Sequence, residues 1–245
     1  MKSVSAIILA AGKGTRLNCR QKNKVSLSLG GQPMICYTLK TLKKLKLKKI
    51  YIVVGFQKQS VIKALGPAYS YIEQPKRLGT GHAVLTAFKK IKKPTKYFLI
   101  LNGDDSAFYQ PSDLKALISK HLKTQADMTL ITLFPQYPNH LGRIIRDQKG
   151  KIKAIVEYKN ATIKQRKIKE INSATYCFKH SFLKKFLPKI TKNPVTGEYY
   201  LTDLLALAVD HGQKVRSVTL KDPANFCGVN TQKDLLTAQK RIKKL

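Results

Sequence analysis

Short apolar runs alternate along this chain with longer stretches in which apolar residues recur every three or four positions. Ile7-Ile8-Leu9, Lys49-Ile50-Tyr51-Ile52-Val53-Val54-Gly55, Tyr69 to Glu73, Tyr97-Phe98-Leu99-Ile100-Leu101 and Met128 to Phe134 are of strand length. Runs apolar on both sides belong to strands buried on both faces. Between them, Pro33 suits the first turn of a helix reaching about Leu45, with Ile35, Leu39 and Leu42 on one face and lysines on the other. Further helices are predicted over Lys58 to Leu65, from Leu78-Gly79-Thr80-Gly81-His82 through Ile91, and from Pro111 onward. Such alternation predicts right-handed β-α-β crossovers and a parallel sheet covered by helices on both faces.

After Pro138 the rhythm changes. Arg143 to Arg146 and Ile152 to Tyr158 flank Asp147-Gln148-Lys149-Gly150, a hairpin connection, and Ser173 to Phe178 reads as another strand. Thr202 is expected to cap a helix from Asp203 to His211 that Gly212 stops. Lys214 to Leu220 reads as a late strand, and Thr231-Gln232-Lys233-Asp234 as a capping box. Residues 135–200 form a β-rich layer against the sheet's active edge in this reading. With no long Gly/Ser/Pro linker and no repeat, the expectation is an α/β, Rossmann-like single domain over residues 1–245.

Parallel sheets bind ligands at the carboxyl ends of their strands. The first run delivers Ala10-Ala11-Gly12-Lys13-Gly14-Thr15-Arg16 to that edge, with Lys24 a few residues on. Glycines allow a tight turn and bring bare N–H groups to an anion, and Lys13, Arg16 and Lys24 could neutralise a polyphosphate. The loop is neither G-x-G-x-x-G, because Leu17 replaces the third glycine, nor a Walker loop. Asn102-Gly103-Asp104-Asp105 follows a later strand to the same edge, and its carboxylates are the metal candidates, Mg²⁺ preferring a few hard oxygens plus substrate phosphates. The histidines at 82, 121, 140, 180 and 211 are scattered, with His82 read as a helix-start residue. No Gly-x-Ser-x-Gly elbow occurs. A site of cations and carboxylates without a nucleophile works by positioning and charge neutralisation, the pattern of phosphoryl and nucleotidyl transfer.

Composition adds one abnormal quantity. Against an ordinary 43% apolar content, 47 Lys+Arg face 13 Asp+Glu, a formal charge of +34 over 245 residues. The lysines are spread along the whole length without interleaved aromatics, so they read as a solvated surface and nucleic acid is not the expected partner. The cysteines at 19, 36, 177 and 227 lack metal or redox spacing and read as reduced thiols. No run approaches a membrane span and no signal-peptide pattern opens the chain, so a cytoplasmic location is expected.

Leu9 to Arg16 resembles the signature loop of the sugar-phosphate nucleotidyltransferases. The likeness is strongest to the uridylyltransferase (pyrophosphorylase) domain of the bacterial bifunctional N-acetylglucosamine-1-phosphate uridylyltransferases. It continues through Leu78-Gly79-Thr80-Gly81-His82-Ala83, Asn102-Gly103-Asp104, Gly142-Arg143-Ile144, Ile155 to Thr162, Glu170-Ile171-Asn172, Gly197 to Asp203 and Gly228-Val229-Asn230. The resemblance implies a glycosyltransferase-A-like fold with a nucleotide-binding part over 1–134, a sugar-binding part over 135–230 and a C-terminal helix over 231–245. It implies that Ala10, Ala11, Gly12, Lys13 and Gly14 hold the nucleotide and that Gln74, Gly79 and Thr80 select uracil. Arg16 and Lys24 would be catalytic, Asp104 and Asn230 would hold Mg²⁺, and Gly103, Gly142, Glu157 and Asn172 would bind the amino-sugar. The implied substrates are UTP and N-acetylglucosamine 1-phosphate, the product UDP-N-acetylglucosamine serving cell-envelope (peptidoglycan) synthesis. The same chemistry on another sugar phosphate or with dTTP is the near alternative; a basic nucleic-acid-binding protein on a degenerate scaffold is the distant one. Departures from the family pattern are Asn23 in place of proline before Lys24, Asn102 in place of tyrosine, and Ser173-Ala174 in place of Thr-Gly. Hexapeptide repeats of the family's acetylating β-helix are missing, so acetyltransferase activity is not expected of this chain and there is less reason for a trimer, the oligomeric state being left unassigned.

Overall fold

The computed structural model describes residues 1–135 and 141–243; Pro138, His140 and the end of the expected C-terminal helix at Leu245 lie outside them. In chain order, β1 (Val4–Ala10) leads to a small hairpin, β2 (Ser28–Leu29) and β3 (Gln32–Pro33), then α1 (Met34–Lys44), β4 (Ile50–Val54), α2 (Lys58–Leu65) and β5 (Ser70–Glu73). Next come α3 (Thr80–Lys90), β6 (Tyr97–Asn102), α4 (Pro111–Thr124) and β7 (Met128–Leu133). The second half supplies β8 (Arg143–Arg146), β9 (Ile152–Val156), α5 (Ile163–Arg166), β10 (Ile171–Lys179), α6 (His180–Phe186), α7 (Asp203–Asp210), β11 (Val215–Thr219) and α8 (Gln232–Ile242).

The main sheet runs β11-β7-β10-β6-β1-β4-β5, with β8 and β9 attached beside β10. β1 lies between β4 and β6 and parallel to both, and all seven of its residues are buried. Side chains alternate across a strand, so Ile7 and Leu9 enter one core layer and Ala6, Ile8 and Ala10 the other. Helix α3 contributes Ala83, Val84 and Ala87 to the first layer; α1 and α4 contribute Ile35, Leu39, Leu114 and Leu117 to the second. The sheet is mostly parallel; β10 pairs antiparallel with both β6 and β7.

Three local expectations are corrected. Pro33 ends β3 with an extended backbone and precedes α1 rather than lying in its first turn. Thr202 precedes α7 but its side chain makes no capping hydrogen bond. Its backbone is already helical, at φ −60° and ψ −26°, and so does not hold the hydroxyl in the extended capping geometry. The strand expected to reach Tyr158 ends at Val156, because Tyr158–Asn160 winds into a short 3-10 turn. Helix α6 had no counterpart in the sequence reading. At the other sites local chemistry matches the pattern: Pro111 opens α4, and Thr231 with Asp234 closes a reciprocal capping box on α8.

Candidate functional site

The carboxyl ends of β5, β4, β1 and β6 stand side by side, and the start of antiparallel β10 joins them. The glycine loop leaves β1 there. Gly14 adopts φ +63°, and a Cβ on it would lie 3.1 Å from Cys19 Sγ and 3.2 Å from Lys24 Cβ, so a larger residue would meet both strain and crowding. Around Gly12, by contrast, a Cβ would find nothing within 4 Å, leaving open space beside the backbone.

Asn23 ties this loop to its neighbours. It is 1% exposed, and its Nδ2 reaches the carbonyls of Ala10 (3.0 Å), Gly12 (3.2 Å) and Phe56 (2.8 Å). Its backbone N–H donates to Ser60 Oγ, and its Oδ1 accepts from Val25 N–H. The sequence reading recorded Asn23 only as a departure from proline. A buried asparagine spanning three carbonyls explains the residue, and it fixes the backbone from which Lys24 projects.

Lys24 reaches the end of β6, where its ammonium forms an ion pair with Asp104 and donates to Asn230 Oδ1 at 3.1 Å. Arg16 donates to the same Oδ1 at 2.9 Å. Two cations, one carboxylate and one amide from four separate stretches thus meet in one cluster. Burial works against the Lys24 charge, but Asp104 and Asp105 outweigh it and raise its pKa above the usual lysine range, with Arg16 opposing. Lys13 is exposed in the same loop.

Asp105 is set apart from Asp104. Its Oδ2 accepts from Asn102 at 3.0 Å, while its buried Oδ1 has no partner among the described residues and faces Gly228, where a Cβ would come within 3.1 Å. Burial and the neighbouring Asp104 push its carboxyl up to about 7, against the pull of Lys24, Asn102 and Arg16. No three His, Cys, Asp or Glu side chains gather as a metal-holding group among the described residues. Asp104 and Asn230 nevertheless offer hard oxygens on either side of a position now taken by the Lys24 ammonium. That donor set fits a Mg²⁺ ion that takes most of its ligands from water and phosphate.

Toward β5, the loop packs on Gly55, whose Cβ would lie 2.9 Å from Ala11 Cβ and 3.2 Å from the Gln74 carbonyl. Gln74 is 3% exposed. Gly79 takes φ +93°, with no room for a side chain beside the Tyr199 carbonyl at 2.6 Å, and Thr80 Oγ1 accepts from Leu201 N–H. Segment 78–81 is therefore stitched to 199–201.

Toward β10, three further residues converge. The Asn172 N–H donates to the Gly142 carbonyl at 2.9 Å, and a Cβ on Gly142 would sit 3.6 Å from Glu157 Oε1. Asn172 Nδ2 donates to Tyr176 OH at 2.7 Å, and its Oδ1 accepts from Ala174 N–H. Burial, with Asp203 nearby, raises the Glu157 pKa against Lys159. Gly103, at the end of β6, packs under Val25 and the Leu9 carbonyl. The structure thus brings all the residues singled out from the sequence to one rim, in three groups: Gln74-Gly79-Thr80, the loop with Lys24-Arg16-Asp104-Asn230, and Gly142-Glu157-Asn172. The sequence reading missed Asn23 as a bridging residue, and His82 as the partner of Gln74.

The nucleotidyl transferase family pattern matches residues 5–244. Bifunctional protein GlmU of Heliobacterium modesticaldum is 38% identical over 98% of this chain and 52% of its own length; that of Acinetobacter baumannii is 39% identical over 99% and 52%. For GlmU of Desulfotalea psychrophila the figures are 36%, 98% and 70%. The chain thus spans about half the length of most of the relatives named here. A crystal structure of UDP-glucose pyrophosphorylase complexed with UDP-glucose superposes with TM-score 0.80 over 100% of this chain and 99% of that one, at 19% identity, a likeness of fold. No helix among the described residues is long and apolar enough to cross a membrane.

Proposed function

The chain belongs to the nucleotidyl transferase family, and on that premise we propose that it transfers the uridylyl group of UTP to N-acetylglucosamine 1-phosphate, forming UDP-N-acetylglucosamine and pyrophosphate. The observation that carries this reading is the meeting of Lys24, Arg16, Asp104 and Asn230 beside the open glycine loop. The loop backbone holds the nucleotide, Gln74, Gly79 and Thr80 receive the base, and Gly103, Gly142, Glu157 and Asn172 receive the sugar. Lys24 and Arg16 then turn from Asn230 and Asp104 toward the triphosphate and stabilise the charge that develops as a sugar-phosphate oxygen attacks the α-phosphorus in line. The attacking oxygen is already ionised, so neither a general base nor a covalent enzyme intermediate is required. Asp104 and Asn230 would hold a Mg²⁺ ion, which would supply further charge neutralisation.

The test is a pyrophosphate-release assay across nucleoside triphosphates and sugar 1-phosphates. Turnover with UTP and N-acetylglucosamine 1-phosphate, abolished by chelation of divalent ions, is expected. Turnover with glucose 1-phosphate and none with its N-acetylamino analogue would overturn the sugar assignment.

A further inference from the structure

The Gln74 amide has two acceptors on one side. Its Nε2 donates to the Gly79 carbonyl at 3.2 Å and lies 2.9 Å from His82 Nδ1. A carbonyl can only accept, so the nitrogen must face Gly79; the second amide proton then goes to His82, whose Nδ1 is the unprotonated ring nitrogen. Among the described residues, Gln74 Oε1 has no hydrogen-bond partner. Both amide protons are used up internally, and the group is left showing a lone-pair acceptor.

We infer that His82 is a positioning residue for base choice: with Gly79 it locks the Gln74 amide so that only an acceptor is offered to the base. This rests on the reading in which Gln74 meets the base. An acceptor there pairs with the imide N3–H of uracil or thymine. Cytosine carries a lone pair at N3, and would need the amide turned over, which places Gln74 Oε1 against the Gly79 carbonyl and forces His82 into the other tautomer. Both changes fall on part-buried hydrogen bonds around the buried Gln74 amide, where an unmade bond still costs. His82 sits in the first turn of α3, packed near the Tyr199 ring at 6.3 Å between centroids. Burial, with Lys89 and Lys76 nearby, lowers its pKa, consistent with a neutral acceptor.

The test is calorimetric titration of UTP and CTP, each with Mg²⁺, into wild type, Gln74→Ala, His82→Leu and His82→Asn. Wild type should prefer UTP by at least ~10-fold, the scale on which a site built around one hydrogen bond rejects its mismatch. His82→Leu should lower that ratio severalfold by weakening UTP alone, while His82→Asn, which keeps an acceptor near the Nδ1 position, should restore most of it. Should His82→Leu not fold, His82→Ala serves the same arm. A ratio unchanged in the apolar variant, or equal weakening of both nucleotides, would overturn the role of His82 provided Gln74→Ala collapses the preference. A wild type without preference, or Gln74→Ala that keeps it, would instead overturn the base reading, and the lock with it.

Discussion

At the carboxyl rim of the sheet, Lys24, Arg16, Asp104 and Asn230 crowd one another on glycine-rich turns; at the amino rim, Lys2, Lys48, Lys49, Lys96 and Lys214 are exposed just before their strands, Lys49 and Lys96 lying over the rings of Tyr51 and Tyr97. The acid at that second rim is Asp127, used as a structural tie. It accepts from Lys179 Nζ at 3.0 Å and from Lys214 N–H at 2.9 Å, joining the end of β10 to the starts of β7 and β11. One rim gathers charges that a ligand can redistribute, and the other spreads its charges and satisfies the few it gathers. Activity should therefore be lost by changes at the first rim and stability by changes at the second.

The largest separation is expected from Asp104→Ala and Lys24→Ala. Each should lower turnover at least ~10²-fold, the scale of removing one preorganised electrostatic partner. Near-wild-type turnover in either would mean that the chemistry lies elsewhere.

The amino rim should respond in the opposite sense. His121 is fully buried, with Nδ1 against Thr129 Oγ1 at 2.8 Å and Nε2 without a partner among the described residues. Burial, with Lys179 adding and Asp127 opposing, pushes its pKa down to about 4. The folded value lies below the unfolded one, so the stabilisation is complete above about pH 6.5 and is lost as pH falls toward 4. At about 1.4 kcal/mol per pH unit, this group contributes a loss of about 2–3 kcal/mol over that window. His121→Gln should flatten the acid limb of the denaturation midpoint, and parallel limbs in the two proteins would sink the assignment. Asp127→Ala should cost about 1 kcal/mol by removing two hydrogen bonds that water can only partly replace, with turnover held within ~2-fold of wild type. A larger loss of turnover than of stability would erase the distinction between the rims.

Much of this contrast was legible in the sequence. Apolar runs and intervening helical spacing place the ends of β1 and β6 on one edge, and that alone predicts that Lys24 and Asp104 meet. What local pattern cannot state is which neighbour a strand takes. Ser173 to Phe178, with Ser173 and Thr175 among apolar residues, reads as a strand but not as a direction, so its antiparallel entry between β6 and β7 is set by tertiary pairing. Helix α6 hides its apolar residues Phe182, Leu183 and Phe186 among lysines over barely two turns. The role of Asn23 depends on Ala10 and Phe56 lying near each other, which no spacing around residue 23 reveals. The His82–Gln74 contact likewise joins a strand end to the next helix start, and only the fold brings their side chains within reach.

The smallest effect bears on the β10 end of the carboxyl rim. Ala174 occupies φ +56° within the irregularity between Asn172 and Tyr176, at a position where the family pattern has glycine. A Cβ in the left-handed region costs roughly 1–2 kcal/mol. Glycine would remove that strain but give back about 0.4–1 kcal/mol through the freer unfolded chain. Ala174→Gly should therefore stabilise the protein by about 0.5 kcal/mol, a rise of a few degrees or less in melting temperature. The Ala174 N–H also holds Asn172 Oδ1, so the strained bend aims an implied sugar ligand. If that aim matters, the same variant should raise KM for the sugar phosphate and leave KM for UTP unchanged. A destabilised Ala174→Gly would show that the bend is held by something other than its own backbone preference.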